Sequence, residues 1–135
     1  MLSGFSLQGK VAVIAGGERR LELEMMEAGA SVVAVDRLGN QALEAPTQAG
    51  AWALDITDAP EISDTFVEIA RDFGVIDILV AAAGIVDNIA AEEYPAETWR
   101  TIVDVNISGS IVYLASLASS YITRHVPVAA GGYTA

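Results

Sequence analysis

Short apolar runs alternate with amphipathic segments along this chain, and that alternation is the feature that most constrains its fold. Runs of strand length, rich in valine, isoleucine and alanine, occupy residues 11–15, 31–36, 51–55 and 77–84. Runs without polar alternation are typical of strands that are buried on both faces of a parallel sheet. The sequence therefore predicts an α/β fold in three layers, with right-handed crossovers between the strands.

The segments between these runs show helical spacing. Residues 18–28 place apolar side chains on one face and end at Gly29, which suits a helix C-cap. A weaker pattern predicts a short helix over 40–48. The clearest helix covers residues 60–74 and carries four apolar side chains on one face, Ile62, Phe66, Ile69 and Phe73.

A longer helical pattern and a final apolar run follow the fourth strand. Helical spacing continues from Ala96 to about Ser119 and is interrupted by Gly109, and residues 126–130 suit a fifth strand. We expect about five parallel strands in the order 3-2-1-4-5, with a crevice at the switch between strands 1 and 4.

Composition narrows the possible partners. The chain has 18 acidic and 7 basic residues and a formal charge of −11, which disfavours nucleic acid and anionic membranes. It has no cysteine, so disulfides and thiolate chemistry are excluded, and no cluster suits a metal. The start MLSGFSLQGK lacks a signal-peptide pattern. We expect one soluble cytoplasmic domain over residues 1–135.

Two strand ends carry the signals of a nucleotide site. Gly16 and Gly17 form a glycine turn between a strand and a helix, where a phosphate can approach the backbone. Asp36 ends the second strand twenty residues after Gly16, where a carboxylate can accept hydrogen bonds from ribose hydroxyls and repel a 2′-phosphate. This favours NAD over NADP, although Arg37 weakens the preference. The alternative for the two glycines is an ordinary turn, and the alternative for Asp36 is a solvated strand end. The occurrence of both features in this order along the chain favours a nucleotide site.

The order of motifs resembles the short-chain dehydrogenase/reductase family from Leu7 to Gly109. The stretches that carry the resemblance are LQGKVAVIAGG, EAGASVVAVDR, ALDITD, DFGVIDILVAAAGI and YPAETWRTIVDVNISG. The resemblance implies a single NAD(P)-binding Rossmann-like domain and a small alcohol, polyol or carbonyl substrate.

The same resemblance assigns cofactor-binding residues. It puts Gly16 and Gly17 on the phosphate loop, Asp36 on the adenosine ribose, and Asp55 and Ile56 beside the adenine ring. The positions of the family's Asn-Asn-Ala-Gly motif are here Ala81, Ala82, Ala83 and Gly84. Asn106 matches the asparagine of the family's catalytic tetrad, and its alternative is a helix asparagine that supports a kink.

Two departures from the family pattern lie in the cofactor half. The loop after Gly16 is about one helical turn short, and Glu18, Arg19 and Arg20 replace its further glycines. The charge of a glutamate disfavours binding of a pyrophosphate, whereas the charges of the two arginines favour it. The motif AAAG also lacks both asparagines of the family.

The remaining departure concerns the acid/base residues. Ser116 and Tyr133 suggest a catalytic pair, but no lysine stands four residues after Tyr133, and Lys10 is the chain's only lysine. The alternative, which we favour, is that residues 110–135 resemble the family's C-terminal segment, joined directly to the N-terminal half over 7–109. The serine, tyrosine and lysine of the active site are then missing.

Three hypotheses follow from these observations. The chain is an NAD(H)-dependent oxidoreductase with impaired activity, a non-catalytic nucleotide-binding or oligomerisation scaffold, or a shortened form of a longer active dehydrogenase. A homo-oligomer is compatible with each of them.

Overall fold

A computed structural model describes residues 6–16, 19–38 and 50–109. The strands are β1 (Val11–Ala15), β2 (Ser31–Asp36), β3 (Gly50–Ala53) and β4 (Ile78–Ala81), and the α-helices are α1 (Arg19–Glu27), α2 (Ala59–Phe73) and α3 (Ala96–Val103). A 3₁₀ turn spans Ala91–Glu93, and a π-turn spans Asp104–Gly109.

The described strands form one parallel sheet in the order β3-β2-β1-β4. The central strand β1 pairs with β2 on one side and with β4 on the other, and β3 pairs with the outer edge of β2. This arrangement confirms the predicted α/β fold and the order 3-2-1-4. The fifth strand predicted over 126–130 and the helix predicted over 40–48 lie outside the described residues.

Both faces of the sheet are covered, which explains the uninterrupted apolar runs. On one face, Leu21, Met25 and Met26 of α1 pack against a buried cluster that contains Ile14 and Val32. On the other face lies a larger buried cluster, in which α2 meets the strands and the segment after β3: Val13, Ala15, Val33, Val35, Leu54, Ile56, Ile62, Phe66, Ile69 and Ile76.

Helix α2 has a well-defined start. Asp58 is its N-cap, and its Oδ1 accepts a hydrogen bond from the Glu61 N–H at 3.0 Å. The Glu61 carboxylate in turn accepts a hydrogen bond from the Asp55 N–H at 2.9 Å. These two bonds satisfy backbone donors and fix the segment between β3 and α2, which lies beside the site described below.

The helix predicted from Ala96 changes form earlier than expected. The α-helical part ends at Val103, and residues 104–109 form a π-turn instead of continuing the α-helix. Two contacts of this turn account for the change. Asn106 is hydrogen-bonded to the backbone of Ile85, and Gly109 packs so closely on Ile56 that a Cβ there would lie 2.9 Å from the Ile56 carbonyl oxygen. The predicted continuation to Ser119 lies beyond the described residues.

An ion pair joins β1 and β4 at their N-terminal ends. Lys10 Nζ lies 2.8 Å from Asp77 Oδ1, and Asp77 Oδ2 accepts a hydrogen bond from the Val11 N–H at 3.0 Å. This contact lies at the edge of the sheet opposite the C-terminal strand ends. No described helix is both long and apolar enough to cross a lipid bilayer.

Candidate functional site

A cleft of about 350 Å³ opens where the four strands end. The C-terminal ends of parallel strands share one edge of the sheet, and ligands of open α/β sheets bind there. The cleft is lined by residues from the ends of all four strands and from the π-turn: Gly16, Val35, Asp36, Arg37, Leu38, Leu54, Asp55, Ile56, Ala83, Gly84, Ile85 and Val105.

Gly16 makes the turn at the end of β1. Its φ is +63°, and its N–H donates to the carbonyl of Val35 at 2.9 Å. A Cβ atom at this position would lie 2.3 Å from Cα of Ala83, in the segment after β4. Glycine is therefore required both by the backbone conformation and by the close approach of a second strand end.

Asp36 ends β2 and is partly buried in the wall of the cleft. Its Oδ1 accepts a hydrogen bond from the N–H of Leu38 at 2.9 Å. Arg37 is exposed and lines the cleft beside it. One carboxylate and one guanidinium thus adjoin the same part of the cleft.

Asp55 provides a second carboxylate from the segment after β3. Its Oδ1 accepts hydrogen bonds from the Thr57 hydroxyl at 2.7 Å and from the Thr57 N–H at 2.9 Å. The hydrogen bond from the Thr57 hydroxyl is the largest cause that holds the pKa of Asp55 below its ordinary value, and the bond from the Thr57 N–H is the next. The charge of Arg37 acts in the same direction. Burial opposes these effects. The bonds from Thr57 therefore favour the ionised form of this carboxylate.

Removing the Thr57 hydroxyl is expected to raise the pKa of Asp55. In Thr57→Val, the strongest of the bonds that favour the ionised form is lost, so the pKa should move up toward the ordinary 3.8. Titration of the Asp55 carboxyl carbon by NMR measures this shift. Thr57→Ser keeps a hydroxyl and serves as the matched control.

The lowered pKa of Asp55 also makes the free energy of unfolding depend on pH in a definite direction. A lowered folded-state pKa gives stability that is complete above the ordinary value of 3.8 and is lost as the pH falls through the folded value. The stability difference between wild type and Thr57→Val should therefore shrink as the pH falls below about 4. A difference that stays constant down to pH 2 would contradict the assigned hydrogen bonds.

Asn106 holds the segment that follows β4. Its Oδ1 accepts from the Ile85 N–H and its Nδ2 donates to the Ile85 carbonyl, both at 2.8 Å. The pair of bonds fixes Ile85 and Gly84 as one wall of the cleft. The amide of Asn106 is thus engaged with backbone, and its catalytic role stays a prediction.

Most residues predicted from the sequence meet at this cleft. Seven of them line it: Gly16, Asp36, Arg37, Asp55, Ile56, Ala83 and Gly84. Ala81 ends β4, and the N–H of Ala82 donates to the Ala15 carbonyl, so both belong to the sheet beside the cleft. Gly17 lies outside the described residues.

Other lining residues were not predicted: Val35, Leu38, Leu54, Ile85 and Val105. Val35, Leu38 and Leu54 lie within two residues of a strand end, and that position in the sequence is a usable signal. Ile85 and Val105 carry no such signal, because Ile85 lies four residues after β4 and Val105 lies in the π-turn.

Comparison with known proteins decides the family. The sequence profile described as short chain dehydrogenase matches residues 10–126. The chain belongs to the short-chain dehydrogenase family. This confirms the resemblance seen in the motifs.

Relatives in this family include enzymes named for polyols and sugar acids. A D-threitol dehydrogenase of Mycolicibacterium smegmatis is 31% identical over 80% of this chain and 46% of its own length. A 2-dehydro-3-deoxy-D-gluconate 5-dehydrogenase of Dickeya dadantii is 33% identical over 92% of this chain and 53% of its own length. The chain thus spans about half the length of these relatives.

A solved short-chain dehydrogenase structure shares the fold. The ligand-free aldohexose dehydrogenase of Thermoplasma acidophilum superposes with a TM-score of 0.74 at 26% identity, over 83% of this chain and 44% of that one. The likeness supports the Rossmann-like arrangement of the described sheet.

Proposed function

We propose that the cleft binds the adenosine half of NAD(H), in a chain derived from an oxidoreductase of alcohols, polyols or their carbonyl counterparts. The observation that carries the proposal is the position of Asp36, a carboxylate that ends β2 and lines a cleft of about 350 Å³ beside the Gly16 turn. A carboxylate at this position suits the hydroxyls of a ribose.

The other walls of the cleft fit the rest of an adenosine. Its volume lies at the lower end of the range for small-molecule sites. Leu54 and Ile56 offer apolar contact for a base, and the ionised Asp55 is an acceptor for an amino group. The turn at Gly16 lines the cleft, where a phosphate can approach its backbone.

The charge of Asp36 supports NAD as the cofactor in preference to NADP. A carboxylate repels the 2′-phosphate that distinguishes NADP, and Arg37 offsets part of this repulsion. We propose that NAD is the preferred cofactor and that the protein is cytoplasmic.

Hydride transfer is expected to be impaired in a chain of this sequence. Bound NAD supplies the hydride acceptor, and the protein must move a proton on the substrate oxygen. In this family a tyrosine does so with help from a lysine four residues on, a motif that the sequence lacks. A tyrosine without such help has a pKa near ~10 and is a poor base at neutral pH.

NADH fluorescence titration tests the proposed site. We expect saturable binding by the wild type and an affinity about tenfold or more weaker in Asp36→Ala, because a hydrogen bond to a charged group is lost. Asp64→Ala removes an equal charge from the exposed face of α2 and should bind like the wild type. No saturation at millimolar NADH, or equal affinity in Asp36→Ala, would contradict the proposal.

A non-catalytic scaffold is the second candidate, favoured by apolar side chains on the surface. Trp99 on α3 is 62% exposed and Ile107 in the π-turn is 51% exposed. Large apolar groups in such positions are typical of association surfaces. A protein that fails the NADH titration but forms defined oligomers in light scattering would support this candidate.

A further inference from the structure

The carboxylate of Asp36 is held by its own turn. The Leu38 N–H donates to Oδ1 from two residues further along the chain. Among the residues that the structure describes, Oδ2 of Asp36 has no hydrogen-bond donor and the carboxylate forms no ion pair. One oxygen is therefore held by the backbone, and no described group bonds to the other.

The second carboxylate of the cleft is anchored more firmly. Asp55 Oδ1 receives both the hydroxyl and the N–H of Thr57, so the loss of one bond leaves the other in place. Asp36 has a single described anchor, which is a backbone group. Among the described groups, its orientation therefore depends on this one N–H.

We propose that the backbone N–H of Leu38 is a positioning group that orients Asp36 and thereby sets the preference for NAD over NADP. The proposal rests on the proposed function of the cleft. A carboxylate held at the cleft wall accepts from a ribose hydroxyl and repels a 2′-phosphate. A carboxylate released from the turn rotates into water, where solvent screens its charge. It then neither accepts a hydrogen bond from the ribose nor repels the 2′-phosphate.

Two substitutions at residue 38 isolate the N–H. Leu38→Pro removes the donor together with the leucine side chain, whereas Leu38→Ala removes the side chain and keeps the donor. Dissociation constants for NADH and NADPH are measured for both, with circular dichroism and thermal unfolding as checks of folding. The ratio of the two constants is the decisive quantity, because general damage to the cleft weakens both cofactors and leaves the ratio unchanged.

The loss of one hydrogen bond to a charged group predicts the size of the effect. Relative to Leu38→Ala, we expect Leu38→Pro to bind NADH about tenfold more weakly and to lose about tenfold of its discrimination against NADPH. Val67→Ala, on the exposed face of α2, should match the wild type in both constants.

A second variant covers the case in which proline disrupts the turn, since proline also restricts the residue before it. Asp36→Glu keeps the charge but lengthens the side chain beyond the two-residue turn. Wild-type discrimination in Asp36→Glu overturns the positioning role, because its carboxylate then discriminates from outside the turn.

The outcomes separate the two proposals. If wild type binds NADH and folded Leu38→Pro discriminates like Leu38→Ala, the positioning role is wrong and the cleft assignment stands. If wild type binds no NADH, the cleft assignment itself is overturned, and the positioning role with it.

Discussion

Replacing Gly16 by alanine is expected to destabilise the protein by roughly 2–5 kcal/mol. A non-glycine residue at a φ of +63° costs about 1–2 kcal/mol, and forcing an extra carbon into a packed site costs about 1–3 kcal/mol more. The new Cβ would lie 2.3 Å from Cα of Ala83, so a backbone atom must move. The urea midpoint, followed by circular dichroism, measures the loss.

Gly9→Ala is the control for this experiment. Gly9 lies in the exposed turn before β1 with a φ of +77°, and a Cβ there would meet no atom within 4 Å. Alanine at this position therefore carries the backbone cost alone, about 1–2 kcal/mol. If Gly16→Ala loses no more stability than Gly9→Ala, the close approach of the β1 turn to the segment after β4 is wrong.

The same change is expected to reduce cofactor binding. Gly16 and Ala83 both line the cleft, so a shift of Ala83 changes its shape. NADH affinity of folded Gly16→Ala should fall, whereas that of Gly9→Ala should remain at the wild-type value because Gly9 lies away from the cleft lining.

Truncating Ile62 is the other change with a large expected effect. Ile62 is fully buried in the cluster beneath α2, where replacement of an isoleucine by alanine costs about 2–5 kcal/mol. Removing a single methylene in Ile62→Val should cost about 0.5–1.5 kcal/mol. Urea unfolding of both variants measures this graded loss.

Val67→Ala provides the control on the same helix. Val67 is 62% exposed on the outer face of α2, and its truncation should change stability by no more than about 0.5 kcal/mol. Equal losses at the two positions would show that α2 does not bury the predicted face. Since Leu54 and Ile56 share the cluster with Ile62 and line the cleft, Ile62→Ala should weaken NADH binding as well.

The strands and α2 could be predicted because burial leaves a direct pattern in the sequence. The run at residues 11–15 is apolar throughout because β1 has a helix on each face. The spacing of Ile62, Phe66 and Ile69 reflects a single buried stripe. Parallel strands also carry their C-terminal ends to one edge, so Gly16, Asp36 and Asp55 could be placed together without any contact being known.

The π-turn could not be predicted in the same way. The spacing of Trp99, Val103 and Ile107 suits a regular α-helix, yet Trp99 and Ile107 are exposed. The form of the chain at 104–109 depends on contacts with distant segments, at Ile85 and Ile56. Local periodicity contains no information about such contacts.

Backbone groups are the other part of the site that sequence reasoning missed. The N–H of Leu38 orients Asp36, but every residue except proline carries the same donor, so its use leaves no mark in the sequence. The side chain of Leu38 gives no hint of this role.

The position of Lys10, at the edge of the sheet opposite the cleft, offers a side-chain amine for labelling. Lys10 is the chain's only lysine, its side chain is 53% exposed, and it stands before β1 whereas Gly16 stands after it. At about 3.3 Å per residue, an amine-reactive dye at Lys10 would attach roughly 15–20 Å from the cleft. Such a dye could accept excitation energy from a bound reduced nicotinamide without blocking its entry.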